Sequence, residues 1–215
     1  MAISIDGSNN TIGGLAVGGL PDGIVDADMI AANAITTAKI GNDQVTTAKS
    51  SGTSKGITHA RSYRITTTFA TAGDNSADLT ANWAFSDLNI GSGFSLPSSG
   101  LFTFPTTGIY EVNFQTLMYA PNGTNAPYVG FEIQQTVDGG SNFSTAAVNY
   151  QSQSDDLAAN RWYGCNATCF IDCTSTTNVK FKVVYYRTAG YGNVNFYASN
   201  TNDATGLYIK RIGDT

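Results

Sequence analysis

Three cysteines in the second half of the chain stand four residues apart, at Cys165, Cys169 and Cys173. Such a set could form disulfides, bind a metal ion or fill a protein core. Residues four apart on a β-strand share one face and lie about 13 Å apart, which is too far for a disulfide. The intervening Thr168 and Phe170 favour a strand, whereas a metal site would need a compact loop. We therefore expect reduced, buried thiols that pack as small apolar core residues.

Few other groups could carry out acid–base or nucleophilic chemistry. The single histidine, His59, adjoins the Gly- and Ser-rich segment 50–56, whereas a catalytic nucleophile system needs a rigidly held base. Asp155 and Asp156 are adjacent, and adjacent residues on an extended chain point in opposite directions. We therefore expect His59 to be a solvated linker residue and the protein to have no enzymatic activity.

Calcium is the cofactor that the sequence leaves open. The loop with Asp155 and Asp156, and the turn with Asp138 and Asn142 beside two glycines, contain oxygen ligands of the kind that Ca²⁺ prefers. The sequence has no EF-hand-like spacing, and both segments also fit ordinary polar turns. We expect no metal and no cofactor, with calcium as the alternative.

Aromatic side chains are the candidates for ligand recognition. Tyrosine and tryptophan near Asn, Gly and Ser are typical of adaptable recognition surfaces that suit flat sugar rings. The candidates in this chain are Trp162, Tyr163, Tyr186 and Tyr191. Tyr191 lies in a glycine-flanked segment, which makes it the best candidate for exposure. Packing in the core or in an interface between copies is the alternative for each of them.

The elements that would position these residues are short strands. From about His59 onward, apolar residues alternate with polar ones, as in the segments 63–69, 110–118, 129–133 and 179–185. Turn signals such as Asp138-Gly-Gly separate the segments, and no long helical periodicity is present. This pattern predicts an all-β fold, an antiparallel β-sandwich.

The first 56 residues contain no aromatic residue and carry a short repeat instead. The segments 35–39 and 45–49, Ile-Thr-Thr-Ala-Lys and Val-Thr-Thr-Ala-Lys, are nearly identical. One chain offers a single narrow apolar row, formed by Val25, Ile30, Ile35, Ile40 and Val45. Because one row has nothing to pack against, we expect three parallel copies to close it into a thin stalk core. A disordered leader is the alternative.

Charge and hydropathy exclude several classes of partner. Charged residues make up 13% of the chain and the net charge is −5, so the basic stripe of a nucleic-acid-binding protein is missing. No apolar run approaches the roughly 20 residues that span a bilayer, and we expect no membrane insertion. The first residues resemble no signal peptide, so we expect the chain to be made in a cytoplasm without export.

Seven residues carry a resemblance to a known family: Trp83, Asn89, Phe94, Phe102, Gly108, Tyr110 and Phe114. Their types and spacing resemble the signature of C1q domains. The spacing has one extra residue before Phe102, and Val112 stands where phenylalanine is usual in the family. Residues 204–210 resemble the family's closing strand. The resemblance implies a C1q/TNF-like jelly-roll head that forms a homotrimer.

A second resemblance concerns residues 11–30 and the Thr-Thr-Ala-Lys repeats, which are similar to the N-terminal regions of small bacteriophage fibre proteins. This resemblance, the repeat and the Gly-rich, aromatic-free N-terminus together predict an N-terminal virion anchor at residues 1–20, a trimeric stalk and linker at 21–57, and the head at 58–215. We expect a structural virion protein, a tail fibre or spike that contacts other virion proteins through its arm and a host surface glycan or protein through its head. A capsid decoration protein and a secreted C1q-like lectin are the alternatives.

Overall fold

The computed structural model of the chain describes residues 4–6, 8, 11–13, 35, 40, 56–70, 76–120, 128–152, 161–188 and 194–215. The chain divides into two compact units, Met1–Ser50 and Ser51–Thr215, and the predicted head, residues 58–215, lies within the second unit. In the first unit, β1 (Ser4–Asp6) and β2 (Thr11–Gly13) pair antiparallel as a hairpin. The described residues contain no helix that could cross a membrane.

The described part of the head consists of strands joined by turns. These strands are β3 (Ala60–Ile65), β4 (Phe69–Ala70), β5 (Ser76–Asp78), β6 (Trp83–Ile90), β7 (Phe102–Thr103), β8 (Gly108–Ala120), β9 (Val129–Thr136), β10 (Ser144–Gln151), β11 (Arg161–Cys173), β12 (Lys180–Arg187), β13 (Asn195–Tyr197) and β14 (Gly206–Gly213). All of the pairings between them are antiparallel. The sequence prediction of an all-β, antiparallel head is therefore confirmed.

A seven-stranded sheet is built around β8. One edge of β8 pairs along its full length with β11, and the other edge pairs with β14 and then with β13. The sheet continues from β14 through β3 to β6, and from β13 to β4. Buried and half-buried residues alternate without interruption along the 13 residues of β8, so one face of this strand points into the core.

A five-stranded sheet covers that core from the other side. Its order is β10, β9 and β12, and the free edge of β12 pairs with β5 and with β7. Rings from the two sheets meet between them. Phe114 of β8 lies 4.5 Å from Phe131 of β9, and Trp83 of β6 lies 5.0 Å from Phe102 of β7, both edge-to-face. Burying each such ring stabilises the fold by roughly 2 kcal/mol.

Most of the signature residues lie at this junction. Trp83, Phe102, Tyr110 and Phe114 are buried, Phe94 is half-buried and Asn89 is exposed. Gly108 opens β8 at a φ of 142°, and a Cβ there would overlap the Arg211 side chain and lie 2.7 Å from the carbonyl oxygen of Gly213. The glycine of the signature is therefore required by the close approach of β14.

The head chain begins at one end of the seven-stranded sheet. Ala60 pairs with Lys210, and Lys210 pairs with Glu111 near the start of β8. The far end of β8, at Ala120, is about 30 Å away along the strand. The end of β8 that pairs with the first residue of β11 is therefore remote from the point where the head begins.

Candidate functional site

Strand β11 presents two chemically different faces. Its inner face carries Cys165, Cys169 and Cys173, which are free and buried, as the sequence predicts. Burial raises the pKa of Cys165 to about 12 and that of Cys169 to about 11. Because the thiolate is the reactive form, these thiols are poor nucleophiles and ligands at neutral pH. Their role is packing.

The outer face of β11 carries two large exposed side chains. Trp162 is 52% exposed and Phe170 is 65% exposed. Trp162 lies 4.8 Å from the ring of Tyr119 and 5.3 Å from that of Tyr197, and we call these three residues the tryptophan cluster. The cluster lies on the outer face of the seven-stranded sheet.

A second group of rings lies on the outer face of the five-stranded sheet. Tyr128, Tyr150 and Tyr186, here called the tyrosine cluster, have ring centroids 4.4 to 5.4 Å apart. Tyr150 and Tyr186 come from β10 and β12, and both pair with Gly130 of the strand between them. Because Gly130 has no side chain, the two rings can lean over β9 and meet. A Cβ at this position would overlap the carbonyl oxygen of Asn149.

An ordered carboxylate adjoins the tyrosine cluster. Tyr150 donates its hydroxyl hydrogen bond to Oε1 of Glu132, while Gln134 Nε2 and Thr145 Oγ1 donate to Oε2 at 2.8 and 3.0 Å. Partial burial raises the pKa of Glu132, but these hydrogen bonds outweigh it and hold the pKa below its usual value. Burial, and then the hydrogen bond to Glu132, raise the pKa of Tyr150. Glu132 is therefore an ionised acceptor and Tyr150 a neutral donor near pH 7.

The four recognition candidates predicted from the sequence do not form one cluster in the structure. Trp162 and Tyr186 lie on the outer faces of different sheets. Tyr163 is half-buried and packs against the core, which favours the packing alternative for that residue. Tyr191 lies outside the described residues, so its assignment stays a prediction.

Sequence reasoning missed Tyr128, Tyr150 and Glu132. The apolar residues at 129, 131 and 133 were identified as one strand face, so the outward direction of 128, 130 and 132 could have been deduced from the same alternation. The pairing that places Tyr150 of β10 and Tyr186 of β12 beside Tyr128 has no signal in the local sequence.

The carboxylate of Asp138, in the turn after β9, accepts hydrogen bonds from neighbouring groups of the protein. Its Oδ1 accepts hydrogen bonds from Thr136 Oγ1 and the backbone amides of Ser141 and Asn142, and its Oδ2 accepts from Asn142 Nδ2. These donors hold the pKa of Asp138 well below its usual range. Asp138 and Asn142 thus stabilise the hairpin between β9 and β10.

The expectation of no bound metal is untested. Among the described residues, no group of three or more His, Cys, Asp or Glu side chains is arranged to hold a metal ion. Asp155 and Asp156 lie outside the described residues, and calcium there stays an untested alternative.

His59 differs from the sequence prediction of a solvated linker residue. Its ring is half-buried and lies 6.4 Å from Phe94 in an edge-to-face arrangement, and its carbonyl oxygen accepts a hydrogen bond from the Arg211 amide. Burial, with a smaller contribution from the Arg211 charge, lowers the pKa of His59. The prediction was wrong because a contact 35 residues away in sequence draws His59 into the head.

The predicted stalk core falls largely outside the described residues. Val25, Ile30 and Val45 are not among them, whereas Ile35 and Ile40 are described and exposed in the single chain. Their assignment as a stalk core remains a prediction.

Comparisons with known proteins identify the fold of the head. No protein-family model matches the sequence, and a search of curated proteins gives no significant match. Solved structures do match. Eiger TNF from S. frugiperda aligns with a TM-score of 0.54 and 13% identity, covering 73% of this chain and 94% of that chain. Murine APRIL aligns with a TM-score of 0.50 and 14% identity, covering 71% of this chain and 98% of that chain.

The head is a TNF-like jelly roll. At this low identity the likeness concerns the fold alone, and it confirms the jelly roll that the C1q/TNF resemblance implied. The tryptophan and tyrosine clusters therefore lie on the two opposite outer faces of this jelly roll, one on each sheet.

Proposed function

We propose that this protein is a non-enzymatic, trimeric fibre or spike subunit of a bacteriophage virion, whose jelly-roll head binds a receptor on the host surface. Residues 1–20 anchor the subunit to other virion proteins, residues 21–57 form the stalk, and the head points outward. The observation that carries the proposal is the outer face of the seven-stranded sheet, which exposes Trp162 and Phe170 on a single chain.

Large exposed apolar side chains towards both ends of β11 favour an interface between copies of the chain. Trp162 and Phe170 lie on β11, and Leu117 and Ile109 lie on the neighbouring β8 with half-buried side chains. Covering such a face removes apolar surface from water. Closed cyclic symmetry around a three-fold axis would cover it in every copy, and the exposed stalk residues Ile35 and Ile40 favour the same arrangement.

The direction of the chain supports an outward-facing head. The head begins at Ala60, beside the start of β8, whereas Trp162 pairs with Tyr119 near the end of that strand. A stalk that precedes residue 58 would leave the remote end of the jelly roll accessible to a receptor. The similarity of residues 11–30 to bacteriophage fibre proteins supports the virion assignment.

The mass of the full-length protein in solution tests the assembly. Light scattering coupled to size exclusion should give three times the 22.6 kDa of one chain. A stable single-chain species at micromolar concentration would contradict the proposal.

Incorporation into particles tests the virion assignment. We expect the full chain to be found in purified particles and a chain lacking residues 1–20 to be absent from them, although its head still folds and still trimerises. Normal incorporation of the truncated chain would contradict the anchor assignment.

Binding of labelled full-length protein to host cells tests the receptor function.

A further inference from the structure

We infer that the tyrosine cluster on the five-stranded sheet, together with Glu132, is a binding site for a neutral hexopyranose unit of a surface glycan. The inference rests on the proposed receptor function and names the ligand class and the residues that bind it. Trp162, which the sequence also offered as a candidate, belongs instead to the face that we propose is covered by further copies of the chain.

The three rings provide the apolar half of such a site. Tyr128 is 39% exposed and packs against Tyr150 and Tyr186, so each ring is held by the other two. Rings fixed in this way lose little conformational entropy when a ligand covers them. Tyrosine combines an apolar ring with a polar hydroxyl, which matches a sugar that presents C–H groups on its face and hydroxyls at its edge.

Glu132 provides the polar half. Its carboxylate accepts three hydrogen bonds, from Tyr150, Gln134 and Thr145, out of roughly four acceptor positions of an ionised carboxylate. One position remains for a ligand donor, and a hydrogen bond to a charged acceptor is stronger than one to a neutral group. A sugar hydroxyl can donate to it, whereas an anionic group would be repelled.

The charges on this face favour a neutral ligand over an acidic one. Lys182 lies on the same face of β12, but its ammonium already binds both carboxylate oxygens of Asp78, at 2.9 and 3.0 Å. Using Lys182 to bind an acidic sugar would require breaking that ion pair. The ionised Glu132, by contrast, adjoins the rings directly.

Two tyrosines with the same exposure allow a matched test. Tyr128 in the tyrosine cluster and Tyr197 in the tryptophan cluster are both 39% exposed and both contact aromatic neighbours. The full-length protein is screened on an array of neutral and sialylated oligosaccharides, and the best monovalent binder is titrated into wild type, Tyr128→Ala, Tyr186→Phe, Tyr197→Ala and Val137→Ala. Val137 is an exposed apolar residue in the turn after β9, at the end of that strand remote from the rings.

We expect a neutral oligosaccharide to bind and Tyr128→Ala to weaken it by about tenfold, because an aromatic contact to the sugar is lost. Tyr186→Phe should retain binding, since it keeps the ring. Val137→Ala and Tyr197→Ala should bind as wild type, and each variant is checked by circular dichroism and light scattering.

Other outcomes separate the two hypotheses. Loss of binding in Tyr197→Ala but not in Tyr128→Ala would overturn the inference and leave the receptor function standing. Binding to host cells that persists after periodate destroys their glycans would also overturn it, in favour of a protein receptor. Absence of binding to both host cells and glycans would contradict the proposed receptor function itself.

Discussion

The two outer faces of the jelly roll differ in how their aromatic side chains are surrounded. On the seven-stranded sheet, Trp162 and Phe170 protrude from β11 with more than half of their surface exposed. On the five-stranded sheet, the tyrosine rings pack on one another over Gly130 and adjoin a carboxylate held by three donors. The first face also carries ordered polar pairs, such as Asn113 with Thr168 and Lys210 with Glu111, so the two faces differ chiefly in how far their rings are exposed.

This difference indicates different partners. Rings with more than half of their surface exposed gain most by being covered with apolar surface, which a second copy of the same chain provides. A small set of fixed rings with a charged acceptor is typical of a ligand site. We therefore propose different partners for the aromatic residues of the two faces, and the exposure of their rings distinguishes them.

The largest effect should follow from placing a charge on the seven-stranded face. Phe170→Lys should convert the proposed trimer into single chains, because the interface would have to bury an ammonium group. Light scattering measures the mass, and far-ultraviolet circular dichroism should show an unchanged fold, since Phe170 lies outside the core. The matched control is Val137→Lys, which changes an even more exposed apolar residue in the turn after β9. A trimer that survives Phe170→Lys would remove the assembly role of this face.

The next largest effect should come from Gly130, on the opposite face. Gly130→Ala places a methyl group against the Asn149 carbonyl oxygen and 2.7 Å from the Tyr150 Cα, both of which belong to the backbone of β10. Overpacking of this kind costs about 3 kcal/mol of unfolding free energy, since a backbone cannot move aside as a side chain can. Urea denaturation measures the change. Gly164→Ala, on the other face, meets nothing within 4 Å and should be close to neutral. Equal losses for both variants would contradict the packing over Gly130.

The fold could be predicted because its signals are local. Alternation along the segment 110–118 defines a strand with one buried face, and the spacing from Trp83 to Phe114 carries a recognisable signature. The requirement for glycine at 108 was visible in that signature, although its cause, the close approach of β14, was not.

The candidate site could be predicted only in part, because it depends on contacts between distant segments. Tyr186 was identified as a recognition candidate, but its neighbours Tyr128 and Tyr150 arrive through the pairing of β9 with both β10 and β12. Nothing in the residues around Tyr186 encodes that register. Trp162 was identified by the same reasoning and lies on the other sheet, since residue type alone does not assign a face.

A smaller effect is expected from a substitution on the inner face of β11, and it should change stability but not assembly. Cys169→Ser places a hydroxyl on the buried inner face and should cost about 2 kcal/mol of unfolding free energy, since an unpaired buried hydroxyl loses its hydration. Cys169→Ala is the control for the lost volume, so the difference between the two variants isolates the polar penalty. Both variants should retain the mass of the wild type, in contrast to Phe170→Lys one residue away. A change of assembly state in Cys169→Ser would contradict the division between an inner packing face and an outer assembly face.

The smallest effect should be on how the free energy of unfolding depends on pH, through Glu132 on the five-stranded sheet. The pKa of Glu132 is held below its usual value in the folded chain, so the unfolded chain binds the proton first as the pH falls. Its contribution to stability is therefore complete above about pH 4.5, the usual value for glutamate, and is lost as the pH falls through the lower folded value. Glu132→Gln removes this titration, so unfolding of the variant should depend less on pH below 4.5 than unfolding of the wild type. Asp87→Asn, which changes a fully exposed carboxylate on the other sheet, is the control for the loss of one negative charge. If both variants flattened the acid profile equally, the acid response would reflect net charge alone, and the ordered carboxylate would no longer distinguish the two faces.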